Sequence, residues 1–207
     1  MTILRLLLIV LSAWMLSATC ALAQDRPAVG VLGGLNVAGL GLDGSGAAGL
    51  EPGARAGGLV GGFGLVPLTS TLALEFDVAW SRKRMSLSDP ARRFAAADVW
   101  DWIEVPVLLR YRLTGDARGP YLTGGAGLSV LTRAREEDGR RRLDIEDVIQ
   151  SVDAPVIGGV GYTMGRFGIE ARIDVGLRDL NDGLGSDMSV RSRAARIHVT
   201  WAPLFQR

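Results

Sequence analysis

"TLALEFDVAW", residues 71–80, sets Leu72, Leu74, Phe76, Val78 and Trp80 against Ala73, Glu75, Asp77 and Ala79, one residue at a time. Successive side chains on an extended strand point to opposite sides, so the stretch has one oily face and one acidic face. In a soluble sheet the oily face meets a protein core. In a membrane barrel it meets lipid, and the acids line the inside. The rest of the chain decides between the two.

The same alternation recurs along the sequence. "AVGVLGGLNVAG" (28–39) sets Val29, Val31, Leu35 and Val37 against Asn36, and "GGLVGGFGLV" (57–66) groups Leu59, Phe63 and Leu65 on its apolar side. "IEVPVLLRYRL" (103–113) places Ile103, Val105, Val107, Leu109, Tyr111 and Leu113 opposite Glu104, Pro106, Leu108, Arg110 and Arg112. "YLTGGAGLSVL" (121–131), "PVIGGVGYTM" (155–164), "FGIEARIDVGLRDL" (167–180) and "RIHVTWAPLF" (196–205) complete a set of eight strands with the opening one. In the seventh, Phe167, Ile169, Ala171, Ile173, Val175 and Leu177 oppose Glu170, Arg172, Asp174 and Arg178; in the eighth, Ile197, Val199, Trp201 and Phe205 oppose Arg196, His198 and Thr200.

The gaps at 67–70, 114–119 and 164–166 are tight, whereas those at 40–53, 82–98, 133–152 and 179–188 are longer and rich in Gly, Ser or charge. An even number of strands with short turns at one end and long connections at the other is the pattern of bacterial outer-membrane barrels. Aromatic residues agree with it: Tyr111, Tyr162, Phe167, Trp201 and Phe205 share the apolar parity near the short-turn end, and Trp80 falls near the other, as interfacial girdles require. The expected fold is therefore all-β, an eight-stranded antiparallel up-and-down transmembrane β-barrel over residues 24–207. A lipocalin-like soluble barrel is the alternative.

Residues 1–23 stand apart. Arg5, a short apolar run and the ending Ala21-Leu22-Ala23 form a secretory signal peptide, with cleavage expected before Gln24 and export to the outer membrane. The lone cysteine, Cys20, leaves with that segment, so neither a disulfide nor a cysteine zinc site is expected. With 23 basic and 22 acidic residues, the chain has no basic excess to suggest a nucleic-acid partner.

Inside an eight-stranded barrel there is about enough room for side chains alone. Glu75, Asp77, Glu104, Arg110, Arg112, Glu170, Arg172, Asp174, Arg178, Arg196 and His198 carry the inward parity and are expected to pair as a charge network filling the lumen. Strand height predicts Glu75 and Asp77 with Arg110 or Arg112, and Asp174 with Arg196. A narrow channel is the contrasting reading. His198, the only histidine, with Thr200 two residues on, would serve a lipid-modifying enzyme as base and nucleophile, but no nucleophile motif accompanies it. No catalytic residue, metal or cofactor is expected. The charged run "RAREEDGRRRLDIEDVIQ" (133–150) fits no EF-hand; its acids could meet a divalent cation and its arginines the phosphates of lipopolysaccharide.

Glu104, Pro106, Arg110 and Tyr111, followed by Pro120, Tyr121, Gly125 and Gly127, resemble the E-x-P-x-x-x-R/K-Y and P-Y-x-x-x-G-x-G strands of the PorT-like outer-membrane β-barrel family, common in Bacteroidota. That resemblance implies a porin-like barrel whose relatives are in part linked to secretion and gliding. The expected protein is a monomer with a structural, surface-contact or secretion-accessory role. Its expected partners are outer-membrane lipid, lipopolysaccharide and other envelope or secretion proteins.

Overall fold

The computed structural model describes residues 27–43, 51–89, 94–114, 116, 118–138, 141–144, 152–178 and 189–203. The signal peptide expected over residues 1–23 and the girdle residue expected at Phe205 lie outside them. Ten strands follow in chain order: β1 Ala28–Asp43, β2 Glu51–Pro67, β3 Leu72–Asp89, β4 Phe94–Arg112, β5 Gly119–Asp138, β6 Arg141–Asp144, β7 Val152–Asp153, β8 Pro155–Met164, β9 Phe167–Gly176 and β10 Ser189–Trp201. Each long strand pairs antiparallel with its sequence neighbour, and β1 pairs with β10, for example Leu35 with Ile197, so the wall closes. Two short strands are not separate staves: among the described residues β6 pairs with β5 alone, and β7 runs into β8 past Ala154. The barrel thus has eight antiparallel strands. Closure leaves no unpaired edge, as a wall in hydrocarbon requires.

Alternation decides which way each side chain points. On β9 every residue from Phe167 to Gly176 switches between exposed and buried, with Ile169, Ile173 and Val175 outside and Glu170, Arg172 and Asp174 inside. β3, β4, β5 and β10 behave as their sequence patterns predict, and the outer surface is a continuous belt of Val, Leu, Ile and aromatic side chains. The girdle residues Trp80, Tyr111, Tyr162, Phe167 and Trp201 all stand on that belt.

β2 is the exception. Leu59, Phe63 and Leu65, grouped on the apolar face from sequence, point inward and pack with Ala28, Leu32, Ala73, Ala79 and Ala202. Glycine is the reason the parity is hard to read. Gly57, Gly58, Gly61, Gly62 and Gly64 occupy both faces of β2, so it carries no polar row to mark its inside, and only the register with β1 and β3 does so.

The long connections also differ from expectation. Residues 82–89 and 94–98 continue β3 and β4 as paired strands, and residues 133–138 continue β5, with 133–136 paired to β4 and 135–138 to β6. β3, β4 and β5 reach 18, 19 and 20 residues, against about 9–11 needed to cross a bilayer. The stretch "RKRMSLSD" (82–89) departs from the apolar-out pattern because Arg82 and Arg84 face outward and Lys83 and Met85 inward, while pairing with β4 continues.

The turns at the other end are tight. Gly165 opens the two-residue link between β8 and β9 at φ 63°, a left-handed conformation that favours glycine in hairpins.

Candidate functional site

The interior of the barrel gathers nearly all the buried charge. At mid-height Arg172 on β9 contacts three carboxylates: Nη1 donates to Asp77 Oδ2 at 2.5 Å, Nη2 to Glu75 Oε1 at 2.7 Å and Nε to Glu170 Oε1 at 2.6 Å. Arg110 on β4 donates to Glu75 Oε2 from Nε at 2.7 Å and lies 3.6 Å from Glu170 through Nη2. Its guanidinium carbon sits 3.9 Å from the centre of the Tyr121 ring, a cation–π geometry. Glu170 is further held by the Tyr121 hydroxyl at 3.0 Å and the Thr123 hydroxyl at 2.8 Å. These side chains come from β3, β4, β5 and β9, so the cluster joins opposite walls of the barrel.

A second cluster lies towards the long-hairpin end. Arg196 donates to Asp174 from Nε and Nη2, and its Nη1 is 3.0 Å from Glu104 Oε2. Lys83 Nζ is 2.8 Å from Glu104 Oε1 and stands over the Trp102 ring at 5.5 Å. Beyond it Trp102 and Trp100, with ring centres 6.3 Å apart, pack with Met85, Ala38, Ala134 and Ala194. Burying these charges is tolerable only because each meets an opposite one.

The expected pairs Glu75–Arg110 and Asp174–Arg196 form. Asp77 departs from expectation: its partner is Arg172 across the lumen rather than Arg110 or Arg112 on the neighbouring strand. Arg112 is buried instead at the short-turn mouth, where its Nη1 donates to the Ser70 carbonyl at 3.4 Å. It borders a recess there with Phe63, Leu65, Arg110 and Tyr121. Arg178 is not in the network; it lies past the end of β9 and is exposed, because the inward alternation stops at Gly176.

His198 is buried, its Nε2 is 3.7 Å from Glu170 Oε2, and neither ring nitrogen is hydrogen-bonded among the described residues. It therefore does not form the base–hydroxyl contact with Thr200 that the enzyme reading needs.

Among the interior residues that the sequence reading does not reach are Lys83, Trp100, Trp102 and Tyr121 as a donor to Glu170. For the first three the signal was parity, since Lys83 continues the row of Ala79 and Ser81, and the two tryptophans that of Glu104. Ending the strands too early hid them.

One glycine is required by this packing. Tyr121 lies across Gly161 on β8, its register partner, and a Cβ there would meet the ring 2.3 Å away.

The fold matches known barrels. It is similar to Neisserial surface protein A (NspA) at a TM-score of 0.54 and 16% identity, covering 86% of this chain and 99% of that one. It is also similar to Ail, the attachment invasion locus protein of Yersinia pestis, at a TM-score of 0.51 and 12% identity, covering 86% of this chain and 99% of the other. No curated protein matches the sequence. The family described as Outer membrane protein beta-barrel domain matches residues 22–182. With most of its length matched and a closed eight-stranded wall, this chain belongs to the outer membrane protein β-barrel domain family.

Proposed function

We propose that this outer-membrane barrel is a non-enzymatic surface-contact protein whose lumen is plugged by its ion-pair network. The observation that carries the reading is Arg172, which is 2% exposed and joins Glu75 and Asp77 on one wall to Glu170 on its own strand. A guanidinium held by three carboxylates across a bore of this size leaves no continuous water path. Contact then falls to the paired hairpins of β3–β4 and β5–β6, which run well past the length a bilayer needs. The printed names of NspA and Ail concern a surface protein and an attachment protein, and one Ail structure holds the heparin analogue sucrose octasulfate; a similar surface role is the reading here. A secretion-accessory role is the variant that the PorT-like motif favours.

Planar-bilayer recording of the purified full-length chain tests the plug: no stable, sizeable unitary conductance is expected. Steady channels of wild type would overturn it. The enzyme reading is tested by expressing wild type and His198→Ala in the same host: identical lipid A on mass analysis is expected from both, and a lipid change made by wild type and abolished in the variant would support the enzyme instead.

A further inference from the structure

The lipid-facing belt ends abruptly on three adjacent strands. Trp80 on β3, Ile103 on β4 and Val130 on β5 stand in one lateral row, each exposed or half-buried on the outer face. The next outward row in the direction of the long hairpins is Arg82, Asp101 and Arg133, and the one beyond it is Arg84, Val99 and Arg135. Their outward direction follows from the buried residues between them: Lys83 and Met85 on β3, Trp100 and Trp102 on β4, and Ala134 on β5. In two steps the surface passes from apolar to four arginines, with Asp101 among them and Asp144 on β6 as the register partner of Arg135.

Three contacts fix this switch. A register shift at Asp101/Trp102 makes room for Thr132 as an extra residue of β5, and its hydroxyl donates to the Asp101 carbonyl at 2.9 Å, which leaves Arg133 opposite Asp101. Asp101 takes Arg82 in a forked pair, Nε to Oδ1 at 2.8 Å and Nη2 to Oδ2 at 3.0 Å, and Arg82 lies over the Trp80 ring at 5.1 Å. Arg82 is thereby held flat at the border between belt and patch.

Neighbouring strands are about 4.8 Å apart and alternate residues roughly 6.7 Å, so the four guanidiniums share a patch the size of one lipid headgroup. Arginine pairs with phosphate in forked geometry. A sulfated glycan carries similar charge, but it has no use for the apolar row directly adjoining. A lipid whose chains lie on Trp80, Ile103 and Val130 brings its headgroup to the arginine rows.

We propose that Arg82, Arg84, Arg133 and Arg135 form a docking site for a phosphorylated outer-leaflet lipid, with the Trp80–Ile103–Val130 row holding its chains. The site rests on the outer-membrane reading above, with the belt in lipid.

The test uses the full-length chain, purified from Gram-negative outer membranes in non-ionic detergent and mixed with bisphosphorylated or dephosphorylated lipid A. Retained lipid is counted by native mass spectrometry. Wild type is expected to retain the bisphosphorylated form, at least tenfold more weakly in R84Q/R133Q and unchanged in R191Q/R193Q, which removes the same charge from β10. Retention is also expected to fall with salt, because paired phosphates compete with dissolved ions. Equal retention of dephosphorylated lipid, equal loss in both double variants, or salt-insensitive binding would overturn the proposal. So would binding of inorganic phosphate or heparin without retention of lipid. Heat-dependent gel mobility of each protein separates two failures: an unmodifiable wild type sinks the barrel-in-membrane reading, whereas lost lipid binding in a modifiable wild type sinks the docking site alone.

Discussion

Arg172 on β9 and Asp77 on β3 meet in the middle of the barrel, Nη1 to Oδ2 at 2.5 Å, although 95 residues separate them in the chain. In the closed wall these two strands lie opposite one another, so the pair ties the barrel across its width. Replacing Arg172 by Met would leave Glu75, Asp77 and Glu170 facing one another without their shared cation. Loss of one partner of a buried pair costs about 3–5 kcal/mol. The expected outcome is a lower temperature for conversion of the folded gel band to the unfolded one, with partial recovery in R172M/D77N.

The outer belt predicts a different response to added charge. Ile173 is 63% exposed on β9, mid-belt. Arginine at the bilayer midplane costs about 2–4 kcal/mol. Ile173→Arg is expected to lower barrel stability by that order in urea titrations in lipid vesicles. An unchanged midpoint would mean that this face meets water.

β2 gives a test of direction. Cys20 is the chain's single cysteine and lies in the expected leader, so a cysteine introduced into the barrel reports alone once that leader is removed. Val60 is 57% exposed and Phe63 is buried. A lipid-soluble maleimide applied to outer membranes is expected to label Val60→Cys and to spare Phe63→Cys. Labelling in the reverse order would restore the orientation read from the sequence.

Packing inside the barrel gives a steric prediction. Gly161→Val places a branched side chain where the Tyr121 ring lies. Overpacking of this kind costs about 1–3 kcal/mol, and the displaced Tyr121 would lose its bond to Glu170. Lower thermal stability is expected, whereas Gly158→Ala on the same strand, with open space around its Cβ, is expected to leave stability nearly unchanged.

How much of this was legible beforehand varies by strand. On β9 and β10 charged and apolar residues alternate without interruption, so direction, lumen residues and the Asp174–Arg196 pair could be read directly. β2 could not, because glycines on both faces leave no polar row. The hairpin extensions read as loops because there the pattern inverts, with Arg82 and Arg84 outward and Met85 and Trp100 inward, so the apolar-out alternation that marks the other strands breaks off. Lys83 and the Trp100–Trp102 pair went with them.

The sequence by itself determined the alternation, and with it the closed eight-stranded wall, its apolar belt and its charged interior, because a period of two leaves each side chain only two directions. Only the tertiary structure decided which charges meet. Asp77 found Arg172 rather than a neighbour on β4 because that partner comes from the far wall, and a contact across the lumen depends on closure, shear and register together. The same holds for the row of arginines above Trp80, scattered over 54 residues of sequence from Arg82 to Arg135 and brought side by side by the pairing of three strands.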